Sequence, residues 1–163
     1  MPATPDAALA ALATRAASAP LTALGFDFGL KRIGVAVGQT VTGSAADAGA
    51  IDARDGEPEW RAIERLAAEW RPQAIAVGIP YNADGSAQPL TARAENFARE
   101  LESRLNVPVF RIDERLSSHA AEAELKAERQ AGRRRLRKTD IDSRAARLIL
   151  ESWLGDLAKA RNA

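Results

Sequence analysis

Three acidic positions carry the chemistry that this sequence could perform. Asp27 lies in the apolar run from Leu21, between Phe26 and Phe28. A carboxylate in a covered strand loses hydration, which is costly unless a cation or hydrogen-bond donors compensate. An acid pair, Asp113 and Glu114, directly follows the run VPVFRI. Adjacent strand residues alternate sides, so only one of the two can readily face Asp27. Asp142 falls with Ala146, Ile149 and Trp153 at spacings of four, three and four, which places it on the apolar stripe of a helix. Each position also has a purely structural reading. Asp27 could accept turn hydrogen bonds, the stretch DER could hold a local ion pair, and Thr139 with Asp142 matches a capping box.

The sequence has no cysteine, and His119 is its one histidine. These counts exclude disulfides, thiolate chemistry, a His-rich metal site and any Ser-His-Asp triad that does not use His119. His119 itself reads as an exposed residue in the first turn of a helix. Inward-facing carboxylates without nitrogen or sulfur ligands suit a hard divalent cation, Mg²⁺ or Mn²⁺. Such an ion activates water and polarises a phosphoryl oxygen. Positive charge is available nearby. The segment Lys126–Lys138 carries a local charge of +6 in a chain of net charge +1. It reads either as a solvated loop or as a patch for phosphates. Lys31, Arg32, Arg115, Arg133, Arg134, Arg135, Arg137 and Lys138 are the candidate phosphate contacts. The combination points to metal-dependent phosphodiester hydrolysis.

The elements that must position these residues are legible in outline. Leu21 to Phe28 reads as a strand and Gly29-Leu30-Lys31 as a tight turn. Arg32 to Gln39 alternates Ile33, Val35 and Val37 with Gly34, Ala36 and Gly38, which completes an antiparallel hairpin. Its small face lets a helix approach closely. A short third strand is expected at 45–51. Glu57 to Trp70 reads as a helix with Trp60, Ile63, Ala67 and Trp70 as its core stripe. Gln73 to Ile79 reads as a strand covered on both faces, and Pro80 to Gln88 as a loop of turn formers. A helix over Leu90–Leu105 and a strand over Pro108–Ile112 follow. Ser117 or Ser118 caps a helix reaching about Glu128, and a last helix spans about 140–158. Right-handed crossovers make the strands at Gln73 and Pro108 parallel to the first. Functional groups collect beyond the carboxyl ends of parallel strands, where Asp27 and the acid pair would share an edge.

With 163 residues, 46% hydrophobic and 28% charged, the sequence suits one compact α/β domain over 21–159 with a real core. Residues 160–163 are read as a tail. No run approaches the length of a membrane span, and the absence of cysteine fits the cytoplasm. Residues 1–20 are rich in alanine and interrupted by proline, and are expected to be a mobile arm or a short frayed helix outside the fold.

Four blocks, FDFGLKRIGVAVGQ, IAVGIPYNADGSAQPLTARAENFARELE, DERLSS and KTDIDSRAARLILESWL, resemble the YqgF family in that family's order, from about Leu24 to Leu154. Its members are similar to Holliday-junction resolvases and are regarded as nucleases that mature the 5′ end of pre-16S ribosomal RNA. The resemblance implies an RNase H-like fold, with a five-stranded mixed sheet flanked by helices on both faces. It implies that Asp27, Glu114 and Asp142 are the catalytic acids and the ligands of Mg²⁺ or Mn²⁺, which selects Glu114 over Asp113. It also places the loop GIPYNADGS at the catalytic edge, with Asn82 and Ser86 against backbone phosphate. The expected partners are pre-rRNA, branched DNA and ribosomal precursor particles, and the expected state is a monomer or a homodimer. The sequence departs from the family at Leu30, where a small hydroxyl residue is usual, and at Arg144 and Arg147 in the last helix.

Three other functions compete with pre-rRNA processing. A branched-DNA resolvase would use the same acids. A non-catalytic RNA-binding assembly factor could reuse the fold, although the retained acids argue for catalysis and 5% aromatic content argues against a base-stacking platform. An ATP-binding domain of the actin and sugar-kinase type shares the partial motif DFG, but it needs a second phosphate loop and a second lobe.

Overall fold

The computed structural model describes residues 4–115, 127 and 138–162. Residues 116–126 and 128–137 hold the expected helix from Ser117 or Ser118, His119, and Arg133, Arg134, Arg135 and Arg137, and these lie outside the described residues. The elements in chain order are α1 (Pro5–Ser18), β1 (Thr22–Asp27), β2 (Arg32–Gln39), β3 (Ser44–Arg54), β4 (Glu57–Pro58), α2 (Trp60–Trp70), β5 (Ala74–Ile79), α3 (Pro89–Leu105), β6 (Val109–Asp113) and α4 (Lys138–Arg161).

The six strands form one mixed sheet in the order β4-β3-β2-β1-β5-β6. β1 is antiparallel to β2 and parallel to β5, and β5 is parallel to β6. The carboxyl ends of β1, β5 and β6 therefore point to one edge. The expected fifth strand is joined by a sixth, the two-residue β4. Asp55 and Gly56 take φ values of 50° and 82°, the paired left-handed conformations of a tight hairpin turn, so the chain folds back before the helix can begin. Helix α2 consequently starts at Trp60 rather than Glu57.

The two faces of the sheet differ in side-chain size. On one face Leu24, Phe26, Phe28, Ile33, Val35, Ile75, Val77 and Ile79 form a bulky core with Ile63 of α2 and with Ala94, Phe97 and Leu101 of α3. On the other, Ala23, Ala36, Ala74 and Ala76 lie beneath Ala146, Ile149, Leu150 and Trp153 of α4. Small residues on this second face let α4 lie directly on the strands, as the alternation in β2 requires. Trp153 is 1% exposed and packs on Phe110 with ring centroids 5.3 Å apart. The expected α2 stripe holds only in part. Ile63 is fully buried and Trp60 packs on Phe97, but Trp70 at the helix end is 37% exposed in a shallow groove beside Val37 and Ala46.

The N-terminal segment differs from the expected arm. Thr4 caps α1 by accepting from the Ala7 amide, and Pro5 occupies a first-turn position whose amide needs no partner. Leu12, Ala13 and Ala16 of α1 are buried in the same cluster as Trp153, Leu154 and Leu157 of α4. Among the described residues no helix is long and apolar enough to cross a membrane.

Candidate active site

The backbone around Asp27 explains how three acids from distant parts of the chain reach one edge. Asp27 is the last residue of β1, and its ladder partners are Gly34 on β2 and Gly78 on β5. Directly paired residues project to the same face, so the Asp27 side chain is flanked by two positions with no side chain. Both vacancies are used. A Cβ at Gly34 would overlap the Asp142 carbonyl oxygen, so the first turns of α4 rest on β2 at that point. A Cβ at Gly78 would lie 2.9 Å from Cγ of Glu114 and also collide with Ile149. Glu114 continues the alternation of Phe110 and Ile112 on the α4 face, and its amide donates to the Ile79 carbonyl at 3.0 Å. One glycine thus admits the helix that carries Asp142 and the other admits the side chain of Glu114, with Asp27 between them.

The electrostatics record the same convergence. The Asp27 carboxyl titrates well above the ordinary carboxylate range. Burial is the first cause; a hydrogen bond to the Glu114 side chain and the charges of Glu114 and Asp142 add to it. Each of these causes disfavours the ionised form of Asp27. Asp142 is engaged by Arg32, whose Nε donates to Oδ2 at 3.2 Å.

Among the described residues, no group of three or more acidic or histidine side chains stands ready to hold a metal ion as arranged. The three carboxylates are neighbours without being a formed chelate, and Asp142 is paired with the guanidinium of Arg32. The donor set nevertheless fits a hard divalent cation. Every available ligand atom is a carboxylate oxygen, and the like-charge repulsion that raises Asp27 is what such an ion relieves.

The remaining sequence candidates sort differently. Asp113, beside Glu114, turns away from Asp27 and pairs with Arg115, whose Nη2 and Nε donate to Oδ2 at 2.5 and 3.0 Å. Those hydrogen bonds hold Asp113 below the usual carboxylate range and raise Arg115 above its ordinary value. Arg115 also donates to the Ala83 carbonyl and lies 5.9 Å from the Tyr81 ring centroid, so it ties the loop after β5 to the end of β6. Asn82 is exposed and closes that loop on itself, donating to the Ser86 hydroxyl at 3.0 Å and the Ala87 carbonyl at 3.2 Å. The Ser86 hydroxyl in turn donates to Asp84, which holds that carboxyl below its ordinary value. Lys31 is exposed beside Arg32. Lys138 opens α4. Ser143, which sequence reasoning passed over, is 2% exposed and hydrogen-bonded to two strands. Its one sequence signal is a small hydroxyl next to Asp142 on a helix that must lie close to the sheet.

An antiparallel meander followed by two parallel crossovers, with acids at the shared carboxyl edge under a close-lying helix, defines an RNase H-like domain. The sequence matches the RuvX family, described as Holliday junction resolvase, over residues 21–156, and the chain belongs to that family. A relative from Pseudomonas paraeruginosa is 48% identical over 142 residues, covering 86% of this chain and 97% of its own, and is named "Putative pre-16S rRNA nuclease". A relative from Klebsiella pneumoniae with the same name is 51% identical over 132 residues, covering 81% of this chain and 94% of its own. Two solved structures share the fold: the Thermus thermophilus RuvC in complex with Holliday junction substrate (TM-score 0.51, 18% identity, 85% of this chain and 96% of that one) and the fowlpox virus Holliday junction resolvase (TM-score 0.51, 13% identity, 83% and 99%).

Proposed function

We propose that this protein is a divalent-cation-dependent nuclease that hydrolyses phosphodiester bonds in the 5′ leader of 16S ribosomal RNA precursors. The observation that carries the reading is the approach of Glu114 and Asp142 to Asp27 at the carboxyl edge of the sheet, where Asp27 feels the charge of both. Family membership supports nucleic acid as the substrate class, and the shared name of the relatives supports the precursor RNA.

Asp27, Glu114 and Asp142 are the residues that would hold Mg²⁺ or Mn²⁺. The ion would supply a polarised phosphoryl oxygen and water of lowered pKa at the scissile phosphate. Asp27 and Glu114 would both act as carboxylate ligands, because the ion offsets the burial and the neighbouring negative charge that disfavour ionised Asp27. Arg32 exchanges Asp142 for a phosphate oxygen of the substrate, since a guanidinium pairs with either anion in the same planar geometry. Lys31 and Asn82, exposed near that edge, are placed for the flanking backbone, and the basic segment 126–138 supplies further phosphate contacts. Arg115 keeps its pairing with Asp113 and fixes the loop that presents Asn82.

The test is an in vitro cleavage assay. RNA carrying a 16S 5′ leader and a four-way DNA junction are incubated side by side with the purified protein, with Mg²⁺ or with EDTA, and with Asp27→Asn as control. Cleavage of the leader in Mg²⁺ that vanishes with EDTA and with the variant supports the reading. Cleavage confined to the junction replaces the substrate assignment. Cleavage of neither, with the protein folded, removes the catalytic assignment.

A further inference from the structure

The pairing of β2 with β3 contains a fault beneath the first turns of α4. Gly34 pairs with Ala50, but Ala36 pairs with Asp47. Between those pairs β2 has one residue, Val35, and β3 has two, Ala48 and Gly49. The extra residue makes a β-bulge, and Gly49 takes a φ of 85° to form it. A bulge separates a carbonyl and an amide that a regular ladder would join, and both then need a partner.

Ser143 supplies that partner from the helix above. Its hydroxyl donates to the Val35 carbonyl at 3.1 Å and accepts from the Gly49 amide at 3.2 Å. The side chain is 2% exposed, so water does not compete for these bonds. Asp142 precedes it in sequence, and its carbonyl rests over Gly34, the ladder partner of Asp27. Gly34 allows α4 to come close without dictating where along the strand it settles. The Ser143 hydroxyl does dictate this, because only one rotation and one depth of the helix let a single oxygen reach both strands. One turn further on, Arg147 meets the same bulged strand, with Nε donating to Asp47 Oδ1 at 3.1 Å near solvent. The helix is therefore pinned twice to β3, once in the interior beside Asp142 and once at the surface.

We propose that Ser143 is a positioning residue for Asp142: its buried hydroxyl, seated in the β2–β3 bulge, fixes the place at which α4 presents that carboxylate to Asp27 and Glu114. The proposal rests on the reading of those three acids as a cation site. A loss of the hydroxyl moves Asp142 relative to the other two acids and leaves the surface that meets substrate intact. Cation affinity and turnover should therefore fall while KM holds.

The experiment compares wild type, Ser143→Ala, Ser143→Thr, Ser143→Cys, Arg147→Ala and Asp142→Asn. Mn²⁺ binding is measured on the purified full chain by water-proton relaxation, and kcat and KM on the 16S leader RNA. Ser143→Ala is expected to weaken Mn²⁺ about tenfold and to lower kcat tenfold to a hundredfold, the range typical when a residue that orients a metal ligand is lost. Ser143→Thr keeps the hydroxyl and should recover most of both. Ser143→Cys matches the serine in shape with a weaker hydrogen-bonding group, and should show the same loss as Ser143→Ala should the latter fail to fold. Arg147→Ala removes the surface pin to Asp47, together with the ion pair to Glu151 within α4, and should lower thermal stability with Mn²⁺ affinity within twofold of wild type. Folded Ser143→Ala or Ser143→Cys protein with wild-type Mn²⁺ affinity and kcat overturns the proposal. An equal loss of Mn²⁺ affinity in Arg147→Ala also overturns it, because generic anchoring of the helix would then be the cause. If Mn²⁺ binds neither wild type nor Asp142→Asn, the cation reading itself fails and Ser143 is a packing residue. That pattern is distinct from a wild type that binds and a serine variant that binds equally well.

Discussion

Asp27 sits where three influences disfavour its charge: burial, the hydrogen bond to Glu114, and the negative charges of Glu114 and Asp142. The guanidinium of Arg32 is paired with Asp142. The linkage has a definite sign. A carboxyl whose pKa is raised by folding holds more protons in the folded protein than in the unfolded chain. Its stabilising contribution is complete below the ordinary carboxylate value and is lost as pH rises through the raised value. In EDTA the melting temperature should therefore fall as pH is raised from about 4 towards neutrality. Mg²⁺ should oppose the fall, because it stabilises the ionised form. Asp27→Asn removes the charge and keeps the shape. At pH 7 in EDTA it should be more stable than wild type by about 0.5–2 kcal/mol, the usual gain when an active-site residue is traded for stability. It should gain nothing from Mg²⁺ and should not cleave. Differential scanning calorimetry across pH with and without Mg²⁺ checks all of this. An Asp27→Asn protein less stable than wild type in EDTA would mean that the carboxylate is satisfied structurally and that cation binding is not its purpose.

Gly34 and Gly78 show how elements, rather than single residues, build the site, because each removes a side chain where α4 or Glu114 must come close. Gly34→Ala should lift the start of α4 from β2 and destabilise the protein by about 1–3 kcal/mol, as overpacking does. Gly38→Ala is the control on the same strand face. Its Cβ would meet the terminal methyls of Leu154 and Leu150 at 3.0 and 3.1 Å, which can rotate aside, and the Ser44 carbonyl oxygen at 3.1 Å, a far looser backbone contact than the one at Gly34. Urea midpoints should fall clearly further for Gly34→Ala, and nuclease activity should fall with it. The small face of β2, the fully buried β5 and the two parallel crossovers were readable because period-two alternation and continuous apolar runs are strong signals. The readings at the ends of α2 were weaker for physical reasons. The Asp55-Gly56 turn let the chain form β4 before helix propensity acted, and Trp70, at the last position of the helix, has no further turn to cover it and stays 37% exposed. Ser143 was invisible because a bulge depends on the mismatch between two strands, and no periodicity in either strand encodes it. Arg32 and Arg115 read as phosphate contacts because sequence gives charge without partners, whereas folding placed Asp142 and Asp113 beside them.

At the scale of the whole molecule, the chain joins an N-terminal helix to the family core at 21–156, and that core includes the basic segment 126–138. Helix α1 lies outside that core yet buries Leu12, Ala13 and Ala16 with Leu157 and Trp153 of α4. Its sequence, dominated by alanine and interrupted by proline, carries little hydrophobic patterning, and the helix is legible only once α4 is present as its partner. Deleting residues 1–19 should cost about 2–4 kcal/mol by exposing that contact, with kcat per folded molecule retained because the acids lie at the other end of α4. The basic segment acts over a longer range. Its +6 sits in a chain whose remainder is net acidic, so it is a strong source of attraction for a polyanion. Each phosphate contact releases counterions, and the logarithm of the binding constant should fall linearly with the logarithm of salt, by about 0.7 per contact for single strands and 0.9 for duplex. Replacing Arg133, Arg134, Arg135 and Arg137 together with serine should weaken binding to the leader RNA and to a four-way DNA junction alike. It should also lower the salt slope by about 2–4 units, whereas Mn²⁺ affinity at the acids should stay at the wild-type value. Fluorescence anisotropy over a salt series measures the slope directly. An unchanged slope in the quadruple variant would mean that the segment is solvated charge, and that the grip on the nucleic acid comes from Lys31, Arg32 and the loop at Asn82 instead.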